Sequence, residues 1–147
     1  MSWKKSRGLL GPMQPMLGAW IADAGMNGVD FTCTRTFTAV GKGWIELRAV
    51  WNLPKAPYTE VALFGPGDDG VLGFFSFTSD GKRSVGRLAN GTDIDPEAVA
   101  FEARMPAGLA RMTYWPRESG HGFRFAVESR TKKGWNRFLT HDCRPLT

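Results

Sequence analysis

Apolar and polar side chains alternate with a period of two along most of the chain. In Phe31–Val40, threonines occupy one face while phenylalanine, cysteine, arginine and alanine occupy the other. Successive side chains of a β-strand point to opposite faces, so this pattern predicts a strand. Similar alternation or short apolar runs predict nine more strands: Gly18–Ala24, Trp44–Leu53, Tyr58–Phe64, Val71–Ser79, Ser84–Leu88, a segment ending at Met105, Leu109–Trp115, Gly122–Ser129 and Trp135–Cys143.

Turn-forming residues separate these segments. Asn27-Gly28 and Asp80-Gly81 suit the positive φ values of tight hairpin turns, and Gly65–Gly70 (GPGDDG) can continue neither a strand nor a helix. Short hairpin loops force sequential antiparallel pairing, and closing the sheet removes its exposed edges. We therefore predict one all-β domain over residues 1–147, an antiparallel up-and-down barrel of about ten strands. A two-sheet sandwich is the alternative.

The N-terminal segment is expected to contribute little regular structure. Residues 1–8 are predicted to be flexible. Leu9–Leu17 is broken by Gly11, Pro12 and Pro15, which leaves room for a single helical turn around Met13–Leu17. We expect that turn to plug one end of the barrel.

The segment before Met105 has two interpretations. Asp95-Pro96-Glu97 is typical of a helix start, with a capping residue, a proline and an acidic residue in sequence. The alternation from Ala98 to Met105 instead suits a strand. The strand is favoured because Pro106-Ala107-Gly108 then forms a short hairpin.

Composition and charge narrow the range of partners. The chain carries a formal charge of +5, with basic clusters at Trp3–Arg7 and Arg130–Lys133. These clusters fit solvated ends and loops, and without a recognition-helix pattern no nucleic-acid partner is expected. No apolar run approaches the roughly 18 residues of a membrane span. Residues 1–17 are expected to be neither a signal peptide nor an anchor, because glycine and prolines break their apolar part.

The two cysteines, Cys33 and Cys143, lie far apart and outside any CxxC motif. They are expected to be small buried residues in a reducing compartment. Cytoplasmic residence is the default expectation. A homodimer is left open, since nothing in the sequence decides the oligomeric state.

Polar residues on otherwise apolar faces are the candidates for function. A barrel of about eight to ten strands has room for one small ligand. If these faces point inward, Arg35, Arg111, Arg137 and His141 would bring cationic and hydrogen-bonding groups into an aromatic cavity. Such a cavity could hold an amphipathic anion. The alternative is that the arginines face solvent or form ion pairs with Glu46, Glu60 or Glu128.

The predicted ligand contacts fall into two groups. The polar contacts are Arg35, Arg137 and His141, and the wall residues are Phe37, Trp51, Phe75, Tyr114 and Phe125. No metal site and no catalytic residue is predicted, because HExxH, GxSxG and phosphate-loop patterns do not occur in the sequence. Two other functions stay open: a haem-binding barrel with His141 as axial ligand, and an enzyme using a Glu, Tyr or His of the cavity. A protein-interaction barrel with a packed interior is a further alternative.

Gly18-Ala19-Trp20 at the start of the first strand, followed by a series of hairpin strands, resembles the calycin superfamily of lipocalins and fatty-acid-binding-like barrels. The pattern is most similar to the small lipocalin-like barrels of bacteria. The resemblance implies binding of a small hydrophobic or amphipathic molecule. It also makes Arg137, with Tyr114, the nearest match to the residues that hold a fatty-acid carboxylate. His141 matches the C-terminal histidine of a related haem-binding group, whose glycine-rich opening motif is not evident here.

Overall fold

The structure is a computed structural model that describes residues 3–26 and 28–146. A short 3-10 helix (Gly11–Met16) precedes ten β-strands. The strands are β1 (Gly18–Met26), β2 (Val29–Val40), β3 (Trp44–Trp51), β4 (Tyr58–Pro66), β5 (Leu72–Thr78), β6 (Arg83–Ala89), β7 (Val99–Met105), β8 (Gly108–Pro116), β9 (Phe123–Thr131) and β10 (Gly134–Pro145).

The ten strands form a closed barrel. Each strand pairs antiparallel with the next strand along the chain, and β1 also pairs with β10 through Trp20 opposite Pro145 and Ile21 opposite Arg144. The predicted up-and-down barrel is therefore confirmed, and the two-sheet alternative is not the fold. No helix within residues 3–26 or 28–146 is both long and apolar enough to cross a bilayer.

The segment before Met105 is a strand, β7, as the alternation predicted. The helix-start signal forms an isolated turn instead, in which Asp95 accepts hydrogen bonds from the backbone N–H of Glu97 and of Ala98. The predicted turn at Gly81 is present, and Gly81 adopts the positive φ of 87° that the turn requires. The Asn27 half of the other predicted turn, residues 1 and 2 of the predicted flexible start, and residue 147 lie outside the described residues.

The 3-10 helix closes one end of the barrel, as predicted. Its Met13 and Met16 are completely buried in the core, and Pro15 within the helix explains why it does not extend into an α-helix. Trp20, near the start of β1, holds the 3-10 helix in place. Its indole Nε1 donates to the carbonyl oxygen of Met16 over 2.7 Å, and its ring meets Phe123 edge-on at 5.3 Å.

An aromatic core fills the barrel beside this plug. Phe37, Phe64, Phe74, Phe101 and Phe123 are all at least 95% buried. The rings of Phe64, Phe74 and Phe101 pack with centroids 5.3–5.7 Å apart, mostly edge to face. This geometry is favourable for aromatic pairs, so the plugged half of the barrel is a solid core.

Replacing Trp20 with phenylalanine should loosen the plug. The W20F variant loses the hydrogen bond to Met16 and part of the contact with Phe123, which together should cost about 2 kcal/mol of unfolding free energy. Urea denaturation measures this loss. The control is W44F, because Trp44 packs its ring against Phe75 on the outer surface and should cost less than about 1 kcal/mol. Equal losses in the two variants would show that the plug does not depend on Trp20.

Candidate ligand-binding site

A cavity of about 270 Å³ lies inside the barrel between the aromatic core and the end opposite the 3-10 helix. Its volume is nearly twice that of a roughly 150 Å³ cavity that binds benzene. Its apolar lining includes Leu47, Trp51, Phe64, Phe74, Phe101 and Phe125, and its polar lining includes Tyr58, Glu60, Ser76, Thr78, Ser84 and Tyr114. The cavity is therefore mostly apolar with a few polar groups, as small-molecule sites usually are.

Arg35 is a buried cation beside this cavity. It lies on the inward face of β2 with only 1% of its surface exposed. Its guanidinium stacks on two rings that line the cavity, 4.3 Å from the centroid of Phe125 and 5.4 Å from that of Trp51. Cation–π contacts of this kind stabilise a desolvated guanidinium.

The hydrogen bonds of Arg35 go to neutral groups. Its Nη1 donates to Nδ1 of His141 over 2.9 Å and to Sγ of Cys143 over 3.8 Å, whereas its Nη2 has no hydrogen-bond partner among the described residues. No carboxylate of residues 3–26 or 28–146 forms an ion pair with Arg35. Arg35 does not itself line the cavity, and the barrel interior thus holds a positive charge beside the cavity that no ion pair among the described residues neutralises.

His141 is held as a neutral imidazole. It is 4% exposed, and burial together with the charge of Arg35 lowers the pKa of His141 to about 4. A guanidinium can only donate hydrogen bonds, so Nδ1 must accept and the ring proton must sit on Nε2. Neither ring nitrogen then offers a free lone pair to an iron atom. The cavity is also small for a porphyrin, so the residues present do not fit the haem-binding alternative.

Tyr114, Cys33 and Cys143 are buried neighbours of Arg35. Tyr114 is 3% exposed and packs 4.8 Å from Phe125, and burial raises the pKa of its phenol far above the usual range. Cys33 and Cys143 are buried free thiols, as expected. Burial raises the pKa of Cys33 to about 11 and also raises the pKa of Cys143. All three groups are therefore protonated at neutral pH, and neither thiol is an activated nucleophile.

Glu60 is a cavity residue that the sequence reasoning considered only as a partner for arginine. It lies half-buried on the inward face of β4, and the hydroxyl of Ser76 donates to its Oε2 over 2.5 Å. The sequence indication that Glu60 faces inward is the alternation along β4. It places Glu60 on one face with Tyr58, Ala62 and Phe64, of which the last two are clearly apolar. The interior therefore holds one carboxylate as well as one guanidinium.

The predicted wall residues are placed as follows. Trp51, Tyr114 and Phe125 line the cavity, and Phe37 packs in the aromatic core beside it, 6.0 Å from Tyr114. Phe75 lies on the outer face of β5 against Trp44, so Phe74 takes the inward position that was expected of Phe75. Phe-Phe in sequence puts one ring on each face, and the sequence alone did not indicate which.

Arg137 lies outside the barrel. A register shift in β10 leaves Phe138 without a partner on β9, because Arg137 pairs with Glu128 and Leu139 with Val127. Such a bulge lets Arg137 face outward while Leu139, His141 and Cys143 face inward. The expectation that Arg137 shares a face with His141 is therefore not met.

Arg111 also belongs to the outer face, where it and Glu128 form the buried centre of an ion cluster that includes the more exposed Asp93 and Arg137. Its Nε and Nη2 donate to Oε1 of Glu128 over 2.9 and 2.7 Å, and its Nη1 and Nη2 donate to the two carboxylate oxygens of Asp93 over 2.8 and 2.9 Å. Trp135 stacks on the guanidinium at 4.6 Å, and Arg137 reaches Glu128 over 3.3 Å. Of the two alternatives set out for Arg111, ion pairing is the one observed.

No protein-family model matches the sequence, and no curated protein is significantly similar to it. The closed antiparallel barrel has the general shape of a calycin barrel.

The buried His141 should make stability depend on pH. In the unfolded chain its imidazole takes up a proton near pH 6.5, whereas in the folded protein it stays neutral down to about pH 4. Between these values the unfolded state binds more protons, so the free energy of unfolding falls as the pH is lowered, by roughly 3 kcal/mol in total. Above pH 6.5 His141 adds no pH dependence. Urea denaturation between about pH 7.5 and about pH 4.5 measures the effect.

The H141N variant is the matched control for this effect. Its amide oxygen can accept the hydrogen bond of Arg35 in place of Nδ1, but it does not titrate. The two proteins share every other titratable group, so the difference between the two pH profiles isolates His141. Identical profiles would contradict the assignment of His141 as a buried neutral residue.

Removing the charge of Arg111 should be far more costly than removing an exposed arginine. Glu128 is 5% exposed in the wild type, and in R111M it keeps Arg137 as its one cationic partner within residues 3–26 and 28–146, so about 3–5 kcal/mol of unfolding free energy should be lost. Urea denaturation measures the loss. The control is R48M, because Arg48 is exposed and pairs with Glu46 at 4.0 Å, a contact worth about 0–1 kcal/mol. Similar losses would contradict a buried ion cluster.

Proposed function

We propose that the barrel binds a small amphipathic molecule with an anionic head group inside its cavity. One observation carries this proposal: the guanidinium of Arg35 is buried against two rings of the cavity wall, and its Nη2 has no hydrogen-bond partner among the described residues. That nitrogen has almost no accessible surface and Arg35 does not line the cavity, so a wall side chain would move aside for the head group of the ligand to accept hydrogen bonds from it. Membership of the calycin superfamily and residence in the cytoplasm stay predictions.

The energetic argument rests on the desolvation of Arg35. A buried charge that lacks a counter-ion is costly, and charge-assisted hydrogen bonds to a carboxylate or phosphate are among the strongest in proteins. His141 and Cys143 use Nη1, and the two N–H groups of Nη2 remain. A bound anion would supply the missing acceptor and the missing charge together. Because Arg35 is already held against the rings of Phe125 and Trp51, little of its side-chain entropy would be lost on binding.

The rest of the cavity indicates the body of the ligand. Its walls are mainly aromatic, and its volume of about 270 Å³ scales, from the benzene case, to about ten to twelve non-hydrogen atoms. A long fatty-acid chain is too large for that volume. A single aromatic ring with a short acidic side chain has the right size, shape and polarity. The cavity thus supports a binding function over a barrel with a packed interior.

Isothermal titration calorimetry with 3-phenylpropionate and its uncharged amide tests this proposal. The two probes have nearly the same shape, so their affinities differ through the charge of the head group. The wild-type protein should bind the acid at least about tenfold more tightly, because hydrogen bonds to a charged group contribute roughly 1.5–3 kcal/mol.

Substitutions at Arg35 identify the source of that preference. R35M fills a similar volume without charge and should remove the preference for the acid, whereas R35K keeps the charge and should retain part of it. R48M, which changes an exposed arginine on the outer surface, should bind both probes as the wild type does. Equal affinity of the wild type for acid and amide, or an undiminished preference in a folded R35M, would overturn the proposal.

A further inference from the structure

We infer that the ligand is a zwitterion, specifically an α-amino acid with a small aromatic side chain. This inference rests on the proposed function and extends it from the anionic head group to a second, cationic one. Its basis is Glu60, a carboxylate that lines the cavity. Glu60 lies in the same row of paired residues across the strands as Arg35 and forms no ion pair with it.

The sheet register places the two charges across a single small residue. Arg35 on β2 pairs with Ala49 on β3, and Ala49 pairs with Glu60 on β4. Directly opposed residues on neighbouring strands lie roughly 5 Å apart, so the two charged residues start about 10 Å from each other. Ala49 is completely buried and contributes only a methyl group, so no larger side chain stands between the two charged residues in this row.

Each charged side chain is held away from the other. Arg35 is fixed towards β10 by its hydrogen bond to His141 and by the rings of Phe125 and Trp51. Glu60 is fixed towards β5 by the hydroxyl of Ser76, which occupies Oε2 and leaves acceptor capacity on the carboxylate. The two opposite charges are thus positioned by separate neighbours rather than by each other.

Both charges act on the same part of the cavity. Burial is the main cause of the raised pKa of Tyr114, the negative charge of Glu60 adds to that rise, and the positive charge of Arg35 opposes it. Tyr114 lines the cavity, so a ligand that contacts its ring lies within the field of both groups. A simple anion would gain from Arg35 but would be repelled by Glu60. An ammonium group on the same ligand would turn that repulsion into attraction.

The volume and lining agree with this class of ligand. About ten to twelve non-hydrogen atoms is the size of an amino acid with one aromatic ring. The aromatic walls would receive the ring, the carboxylate would bind Nη2 of Arg35, and the ammonium would face Glu60. Thr78, which pairs with Glu60 across β4 and β5, also lines that end of the cavity, with its hydroxyl donating to the carboxylate of Asp80.

The test compares phenylalanine with two molecules that each lack one of its charges. Isothermal titration calorimetry measures the affinity of the wild-type protein for phenylalanine, for 3-phenylpropionate without the ammonium, and for phenethylamine without the carboxylate. We expect phenylalanine to bind at least about tenfold more tightly than either, in one enantiomer or both.

The E60Q variant should reverse this preference. It should weaken phenylalanine binding by about tenfold or more, and it should strengthen the binding of 3-phenylpropionate by removing the repulsion. The control E46Q removes a carboxylate that pairs with Arg48 on the outer surface, and it should leave the ratio of the two affinities as in the wild type.

The outcomes separate this inference from the proposed function. If 3-phenylpropionate binds in an Arg35-dependent way but phenylalanine binds no more tightly, or if E60Q leaves the ratio unchanged, the zwitterion assignment fails and the anion site stands. If none of the three molecules binds to the wild type or to E60Q, both the assignment and the anion site fail.

Discussion

Closure of the sheet between β1 and β10 is the constraint on which the candidate site depends. Arg35 and His141 are 106 positions apart in the chain, yet a hydrogen bond of 2.9 Å joins them. They meet because β1 pairs with β2 on one side and with β10 on the other, and because Ala22 on β1 is a buried alanine that leaves space between them. The paired segment between β1 and β10 is short, with Trp20 opposite Pro145 and Ile21 opposite Arg144. The charge balance of the interior is thus a product of the last strand pairing with the first.

Most of the fold could be predicted from the sequence, because both of its main signals are local. Strict alternation fixed β2 and β3 to within two residues, and Asp80-Gly81 specified the hairpin between β5 and β6. The conflict at Asp95 was also resolvable, since a single capping residue and proline are weak beside seven residues of regular alternation. Closure followed from a general argument about exposed edges rather than from any residue.

The candidate site was predictable only in part. The inward face of β2 identified Arg35 correctly as an interior residue, because its neighbours Cys33 and Phe37 are apolar. The sequence does not show which of two adjacent phenylalanines faces inward, so Phe75 was preferred to Phe74. The sequence also gives no sign of the bulge, because nothing in it distinguishes an unpaired phenylalanine such as Phe138 from a paired one. Arg35 and Glu60 do not pair with each other, because Arg35 bonds to His141 and Glu60 accepts from Ser76. No spacing rule in the sequence reveals these contacts.

The bulge at Phe138 bears on how this strand could change in evolution. Adding or deleting one residue within a strand normally exchanges the two faces of everything that follows. In β10 the extra residue is already excluded from pairing, so a chain without Phe138 would still present Leu139, His141 and Cys143 to the interior and Arg137 to the outside. The last strand can therefore differ in length by one residue between homologous chains while the interior keeps the same composition. An alignment of such chains would need a gap inside a strand, at a position where gaps are usually taken as errors.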